Sequence, residues 1–313
     1  MGLHGDNKHI RMNGIEQQMV ILFIIVVVGY VLRKIGMMGE EFDGKLSNFV
    51  IDVACPCLIL SSTMGDKLPD KHMILPLLLI SCASYALLLL AAVTLPRLLP
   101  ISRDLRGLYG FMLTFGNVGF IGYPIVAAIF GPEAIFYAVI LNFPNTFLIF
   151  TFGVSFVAGT TGKSSFNWKR LVSPAMICSY ISILIVAMEW KVSPIISEPC
   201  RLLGNITIPG ALLLIGSSMA TIPVRELGGN RAIYILSALK LFLIPVALFY
   251  LFGMLGFDHR VNAINTIVCA MPVASYGTLF CIRYHKDVTT MAEATFITTL
   301  LSLFSIPLLS LVL

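Results

Sequence analysis

Between residues 115 and 124 the chain reads Phe115-Gly-Asn117-Val-Gly119-Phe-Ile-Gly122-Tyr123-Pro124, and between 269 and 277 it reads Cys269-Ala-Met-Pro272-Val-Ala-Ser275-Tyr276-Gly277. Each stretch sets helix breakers and small polar side chains inside a long apolar run. Three glycines and a proline within residues 116 to 124 disfavour a continuous helix, because each Gly costs about 1 kcal/mol and Pro about 3 kcal/mol relative to Ala. The chemistry open to such a break is anion binding. A half-helix that starts in mid-membrane presents unbonded N–H groups and the positive end of its dipole. Asn117, Ser275 and Tyr276 add neutral donors, and Gly119 and Tyr123 complete the candidate set around the first break. Two breaks brought together would hold a carboxylate without a buried arginine. The alternative is a pair of kinked helices, Gly and Pro being frequent in membrane spans.

Other polar groups interrupt apolar runs. Asn142-Phe-Pro144-Asn145-Thr146 reads either as a further wall of the same site or as hydrogen-bonding glue between helices. Ionisable residues inside apolar runs are expensive and reduce to Asp52, Lys240 and Glu293. Asp52 is the candidate for proton or sodium coupling, while Lys240 would snorkel or serve as its counter-ion; a structural pairing is the alternative. Asp52 also begins a weak internal repeat. Asp52 to Pro56 is followed by Ser61 and Ser62, as Asn205 to Pro209 is followed by Ser217 and Ser218, so Pro56 and Pro209 mark a second pair of helix breaks.

Enzymatic readings find no support. All five His residues (4, 9, 72, 259, 285) fall in terminal or connecting segments, and no HExxH, GxSxG or GxxxxGK motif occurs. The seven cysteines lie mostly in apolar runs, and Cys55 with Cys57 lacks a second ligand pair at zinc spacing, so neither metal nor cofactor is expected.

The elements that must position these residues follow from composition. With 58% hydrophobic and 12% charged residues and a mean hydropathy of +0.92, the chain lies far from a soluble domain. Apolar windows of spanning length fall at 15–33, 44–62, 73–95, 105–129, 134–158, 170–189, 195–219, 232–252, 260–281 and 289–312. Runs such as Val20 to Val28 are apolar at every position, which excludes the alternating strands of an outer-membrane barrel. The expectation is an all-α polytopic membrane protein with ten transmembrane helices.

The 21 Lys and Arg are scattered singly, so the net charge of +5 sets topology and does not point to nucleic acid. Thirteen fall in the loops 1-2, 3-4, 5-6, 7-8 and 9-10. Lys8, Arg11, Lys67, Lys71, Lys191, Arg201 and Arg260 fall on the other side, and Lys240 lies within span eight. The positive-inside rule then puts both termini outside, with the chain in the bacterial inner membrane. After a polar N-terminal segment (1–14), a first five-helix repeat (15–158) is joined by a cytoplasmic loop (159–169) to a second (170–313). An odd number of spans per half makes the repeats inverted, the common plan of secondary transporters with a midplane site.

FGNVGFIGYPIVAAIFGPEA in span four and AMPVASYGTLFCIRYHKD in span nine resemble the auxin efflux carrier family of membrane transporters. The two motif regions are specific, and the likeness in layout covers nearly the whole chain. The resemblance implies an elevator-type carrier, with helices 1, 2, 6 and 7 as scaffold and helices 3–5 and 8–10 as the moving domain. Helices 4 and 9 would cross at Pro124 and Pro272. By the same resemblance Asn117 matches the crossover asparagine near the substrate carboxylate, Asn142 a polar position in the pocket, and Ser61 and Ser62 would face it from the scaffold. The expected function is secondary transport, as an exporter, of a small carboxylate such as a monocarboxylate, dicarboxylate or auxin-like acid. A sodium- or proton-coupled carrier of the same crossed-helix plan is the alternative, and a homodimer would suit a fixed scaffold.

Overall fold

The computed structural model describes residues 21–65, 69–159, 174–221 and 231–313. The N-terminal segment 1–14, the first six residues of window 15–33, and the 159–169 connector beyond Gly159 lie outside the described residues. What is described is helical: α1 (21–34), α2 (Glu40–Ser61), α3 (Lys71–Arg97), α4 (Arg106–Thr114), α5 (Val118–Phe130), α6 (Ala134–Ala158), α7 (Pro174–Ala187), α8 (Pro194–Ala220), α9 (Arg231–Met254), α10 (His259–Cys269), α11 (Tyr276–Arg283) and α12 (Val288–Ser310). Among the described residues there is no β-strand beyond one isolated antiparallel bridge, Gly116 with Val273.

Helices α2, α3, α6, α8, α9 and α12 are long and apolar enough to cross a bilayer. The two windows with mid-run breakers do not form single helices. Window 105–129 divides into α4 and α5, and window 260–281 divides into α10 and α11. Helix starts follow sequence signals: Asp258 accepts from the backbone N–H of Val261 (3.0 Å) to cap α10, and Asp287 accepts from that of Thr290 (3.0 Å) to cap α12.

Proline acts differently at its several positions. Pro56 does not break α2, contrary to the sequence expectation. The turn before it widens instead into a π turn, Val50–Ala54, closed by the Cys55 N–H bonding to the Val50 carbonyl. The same device precedes Pro124 (Val118–Gly122) and Pro245 (Leu239–Leu243). A proline ring clashes with the carbonyl four residues back and offers no N–H, and one wider turn relieves the clash while keeping the helix axis. In the second half the interruption lies at Asn205 and Ile206, ahead of the exposed Pro209, between helical pieces Pro194–Gly204 and Thr207–Ala220.

Packing in a bilayer gains little from hydrophobicity and relies on close backbone approach at small residues. α1 and α8 meet in this way: a Cβ added at Gly216 would overlap the backbone of Val26, and one at Gly29 the backbone of Leu213. A second buried cluster surrounds α4 and α11. There Phe111 packs on Phe115 at 5.1 Å and edge-on to Phe280 at 5.9 Å between centroids, holding the two short helices against α12.

Substituting Gly216 with Val forces α1 from α8. A loss of about 1–3 kcal/mol is expected, read as a lower apparent Tm and poorer monodispersity in fluorescence-detected size-exclusion chromatography; a wild-type melting curve would show that the approach is not needed.

Candidate functional site

α4 ends at Thr114 because Phe115 turns extended (φ −98°, ψ 116°), and Asn117 (φ −80°, ψ 63°) is non-helical before α5 starts at Val118. On the other side α10 ends at Cys269, and residues 271–275 run non-helical to α11. The two extended pieces lie antiparallel. The Asn117 N–H bonds to the Pro272 carbonyl at 2.7 Å, and the Ala274 N–H bonds to the Phe115 carbonyl at 3.0 Å. The bridge is close at Gly116, where a Cβ would stand 3.1 Å from the Cβ of Met271 and 3.2 Å from its carbonyl oxygen.

Two further groups satisfy the broken backbone. The Val273 N–H bonds to the Thr298 hydroxyl of α12 at 3.1 Å. Lys240 of α9, 1% exposed, donates its Nζ hydrogens to the carbonyls of Leu113 (3.1 Å) and Thr114 (3.3 Å) at the C-terminal end of α4. Lys240 therefore neither snorkels nor serves as counter-ion to Asp52, which stands exposed on α2. Its ammonium is drawn to carbonyls that lost their helical donors and that form the negative end of a helix dipole.

The first ladder bond of α5 runs from Ile121 N–H to the Asn117 carbonyl (3.1 Å), so the N–H groups of Val118, Gly119 and Phe120 precede the ladder. At this end the Asn117 side chain donates to the Ser275 hydroxyl at 3.3 Å, joining the two halves. Both residues line a cavity of about 570 Å³. Their wall is completed by Phe120, Ile121, Thr278, Thr295 and Thr299, and the facing wall by Asp43 and Ser47 of α2 and Leu214, Ile215 and Ser218 of α8.

The remaining sequence candidates are distributed elsewhere. Asn142 donates to the Tyr123 hydroxyl (3.1 Å) and accepts from Asn145 (3.0 Å), a chain that ties α6 to α5 and does not line the cavity. Gly119 has open space beside its Cα, and its carbonyl accepts from the Cys55 thiol across to α2 at 3.5 Å. Tyr276 is 47% exposed and packs edge-on against Phe150. The hydroxyls of Ser61 and Ser62 bond to carbonyls of their own helix, Leu58 and Ile59, and leave the cavity wall to other residues. Glu293 is half-buried in α12.

Sequence reasoning missed the charged part of the cavity. Asp43 pairs with Arg33 of α1 at 3.1 Å and accepts from the buried Ser217 hydroxyl of α8, while its Oδ1 is buried without a protein partner. Asp43 falls one residue before the predicted second span and so reads as a loop residue. The usable signal was the Ser217-Ser218 pair, whose first member holds Asp43 and whose second lines the cavity.

With this geometry in hand, a family model described as membrane transport protein matches the chain over residues 15–165 and 160–310. An uncharacterized transporter from Methanothermobacter thermautotrophicus is 26% identical over 304 residues, covering 96% of this chain and 99% of its own. A second uncharacterized transporter, from Methanocaldococcus jannaschii, is 25% identical over 298 residues, covering 92% and 96%.

Replacing Arg33 with Met leaves the Asp43 carboxylate, whose side chain is 18% exposed, without its cation. A destabilisation of about 1 kcal/mol or more is expected, with Asp43→Asn in the same chain recovering most of it. Additive losses in the double-mutant cycle, measured by thermal melting, would show that the pair is not coupled.

Proposed function

The chain belongs to the membrane transport protein family, and on that premise we propose that this multi-pass membrane transporter is a secondary carrier of a small organic anion that binds at the paired breaks. One observation carries the reading: Asn117 and Ser275, from opposite halves, meet on one wall of a 570 Å³ cavity beside the unladdered N–H groups that open α5. Such a helix start favours negative charge, and two neutral side-chain donors fix a carboxylate without the desolvation cost of a buried arginine. The cavity is large enough for a monocarboxylate, a dicarboxylate or an auxin-like acid.

We take the ten helical windows as two inverted five-helix repeats whose broken helices cross at the bridge. α1, α2, α7 and α8 form the scaffold, and α3 to α6 with α9 to α12 form a domain that moves as an elevator. The cavity's division supports this, because one wall comes from α2 and α8 and the other from the breaks and α12. Its lining lies toward the start of α2, the end of α8 and the start of α12, next to three of the Lys/Arg-rich loops. With those loops in the cytoplasm and both termini outside, substrate enters from the cytoplasm, as an exporter requires. The sequence reading chose the bacterial inner membrane; both named relatives are archaeal, so the support extends to a prokaryotic cytoplasmic membrane in general.

A second reading, cation or proton coupling, draws on Asp43, whose Oδ1 faces no protein donor and which lines the cavity. A proton or sodium ion at that oxygen would reduce repulsion of an incoming anion. Asp52, exposed and remote from these contacts, is not part of that reading.

The test is thermal stabilisation of the purified protein across a panel of carboxylic acids and cations. One acid class should raise the Tm, and Asn117→Ala should lose that shift while melting within a few degrees of wild type. A shift that survives Asn117→Ala would move the site elsewhere, and a shift with sodium alone would favour the coupled reading.

A further inference from the structure

Lys240 is the buried charge that the carrier reading does not yet use. It stands in the π turn of α9, fully enclosed, with its ammonium on the carbonyls of Leu113 and Thr114. Among the described residues the ion pairs are Arg33 with Asp43, Lys45 with Glu41, Lys71 with Glu189, Arg201 with Glu198 and Arg260 with Glu133; none includes Lys240. A lysine held inside a membrane domain without a carboxylate is costly, and two carbonyls could be satisfied by a neutral amide or hydroxyl at far lower desolvation cost. The charge itself therefore has a use.

Its position indicates which. The end of a helix dipole compensates about half of a unit charge, so a net positive potential remains around the ammonium. Nζ lies beside Gly116, 3.6 Å from where an added Cβ would stand, and Gly116 directly precedes Asn117. No side chain at 116 screens the field on its way to the Asn117 and Ser275 side of the bridge. In a low-dielectric surrounding, charges within a nanometre interact strongly.

We propose that Lys240 is a tethered cation. Its ammonium supplies from within the protein the positive charge that compensates the anion at Asn117 and Ser275, and it travels with that anion. The loaded domain then crosses the bilayer with the substrate charge offset, and the ammonium carries its charge back with the empty domain, so that a full cycle moves only the charge of the anion. The proposal rests on the anion-carrier reading of the same site and adds the identity of its compensating charge.

Two measurements test it. In the first, Lys240→Met and Lys240→Arg are compared with wild type for binding of the acid that stabilises the protein. Lys240→Met should weaken binding by about tenfold or more with Asn117 and Ser275 intact, and Lys240→Arg should retain most of it. Equal binding by wild type and a folded Lys240→Met protein overturns the tethered cation and leaves the anion carrier standing. If no carboxylate stabilises wild type, the carrier reading fails first and this proposal with it.

The second measurement uses wild type alone and so survives a misfolded variant. Accumulation of a labelled monocarboxylate in proteoliposomes should follow an imposed potassium-diffusion potential and not a pH gradient, whereas the rate of exchange of labelled for unlabelled monocarboxylate, in which only the loaded domain crosses, should not change with the potential. A net charge would shift accumulation about tenfold for roughly 60 mV. An exchange rate that changes with the potential overturns the proposal, and accumulation that follows the pH gradient assigns the compensating charge to a proton and overturns it as well.

Discussion

A helix broken inside a bilayer must find partners for its backbone within the protein, because hydrocarbon supplies none. Everything distinctive about this chain depends on how that requirement is met at two breaks. The extended residues satisfy one another through Asn117 with Pro272 and Ala274 with Phe115. Thr298 takes the Val273 N–H, and Lys240 takes the carbonyls that α4 leaves behind. Donors at the start of α5 remain ahead of its ladder, on the side where the cavity lies. The negative end of α4 is closed by a lysine while the donors that open α5 stay ahead of its ladder, a polarity that accords with the proposed anion.

The surrounding packing keeps this arrangement rigid. The aromatic group of Phe111, Phe115, Phe150 and Phe280 braces α4 and α11, and Met271 fills the space that Gly116 and Gly122 leave open. The Tyr123, Asn142 and Asn145 chain ties α5 to α6 behind the cavity. Across the cavity, α1 and α8 are locked by the close approach at Gly29 and Gly216, and the Arg33–Asp43–Ser217 group links α1, α2 and α8. Polar bonds thus concentrate within each wall. Between the walls lie the cavity and few directional contacts, the Cys55 thiol to the Gly119 carbonyl being one. This division of the bonds accords with the proposed sliding of one wall past the other.

The sequence by itself determined the membrane class, the helical windows and the two mid-run breaks. These follow from local quantities: run length against bilayer thickness, and the cost of Gly and Pro in a helix. It also singled out Asn117 and Ser275, because polar side chains beside helix breakers in an apolar run need a partner. Tertiary structure decided what pairs with what. Pro56 leaves α2 unbroken, since the single wider turn Val50–Ala54 before it relieves the clash of the proline ring. Ser61 and Ser62 turn to their own helix while Ser217 reaches Asp43, although both pairs occupy the same place in the repeat. Lys240 ends on carbonyls 126 and 127 positions away along the chain and not on Asp52. Charge and hydropathy report that a buried lysine needs compensation; only the fold determines which distant backbone groups lie within reach to provide it.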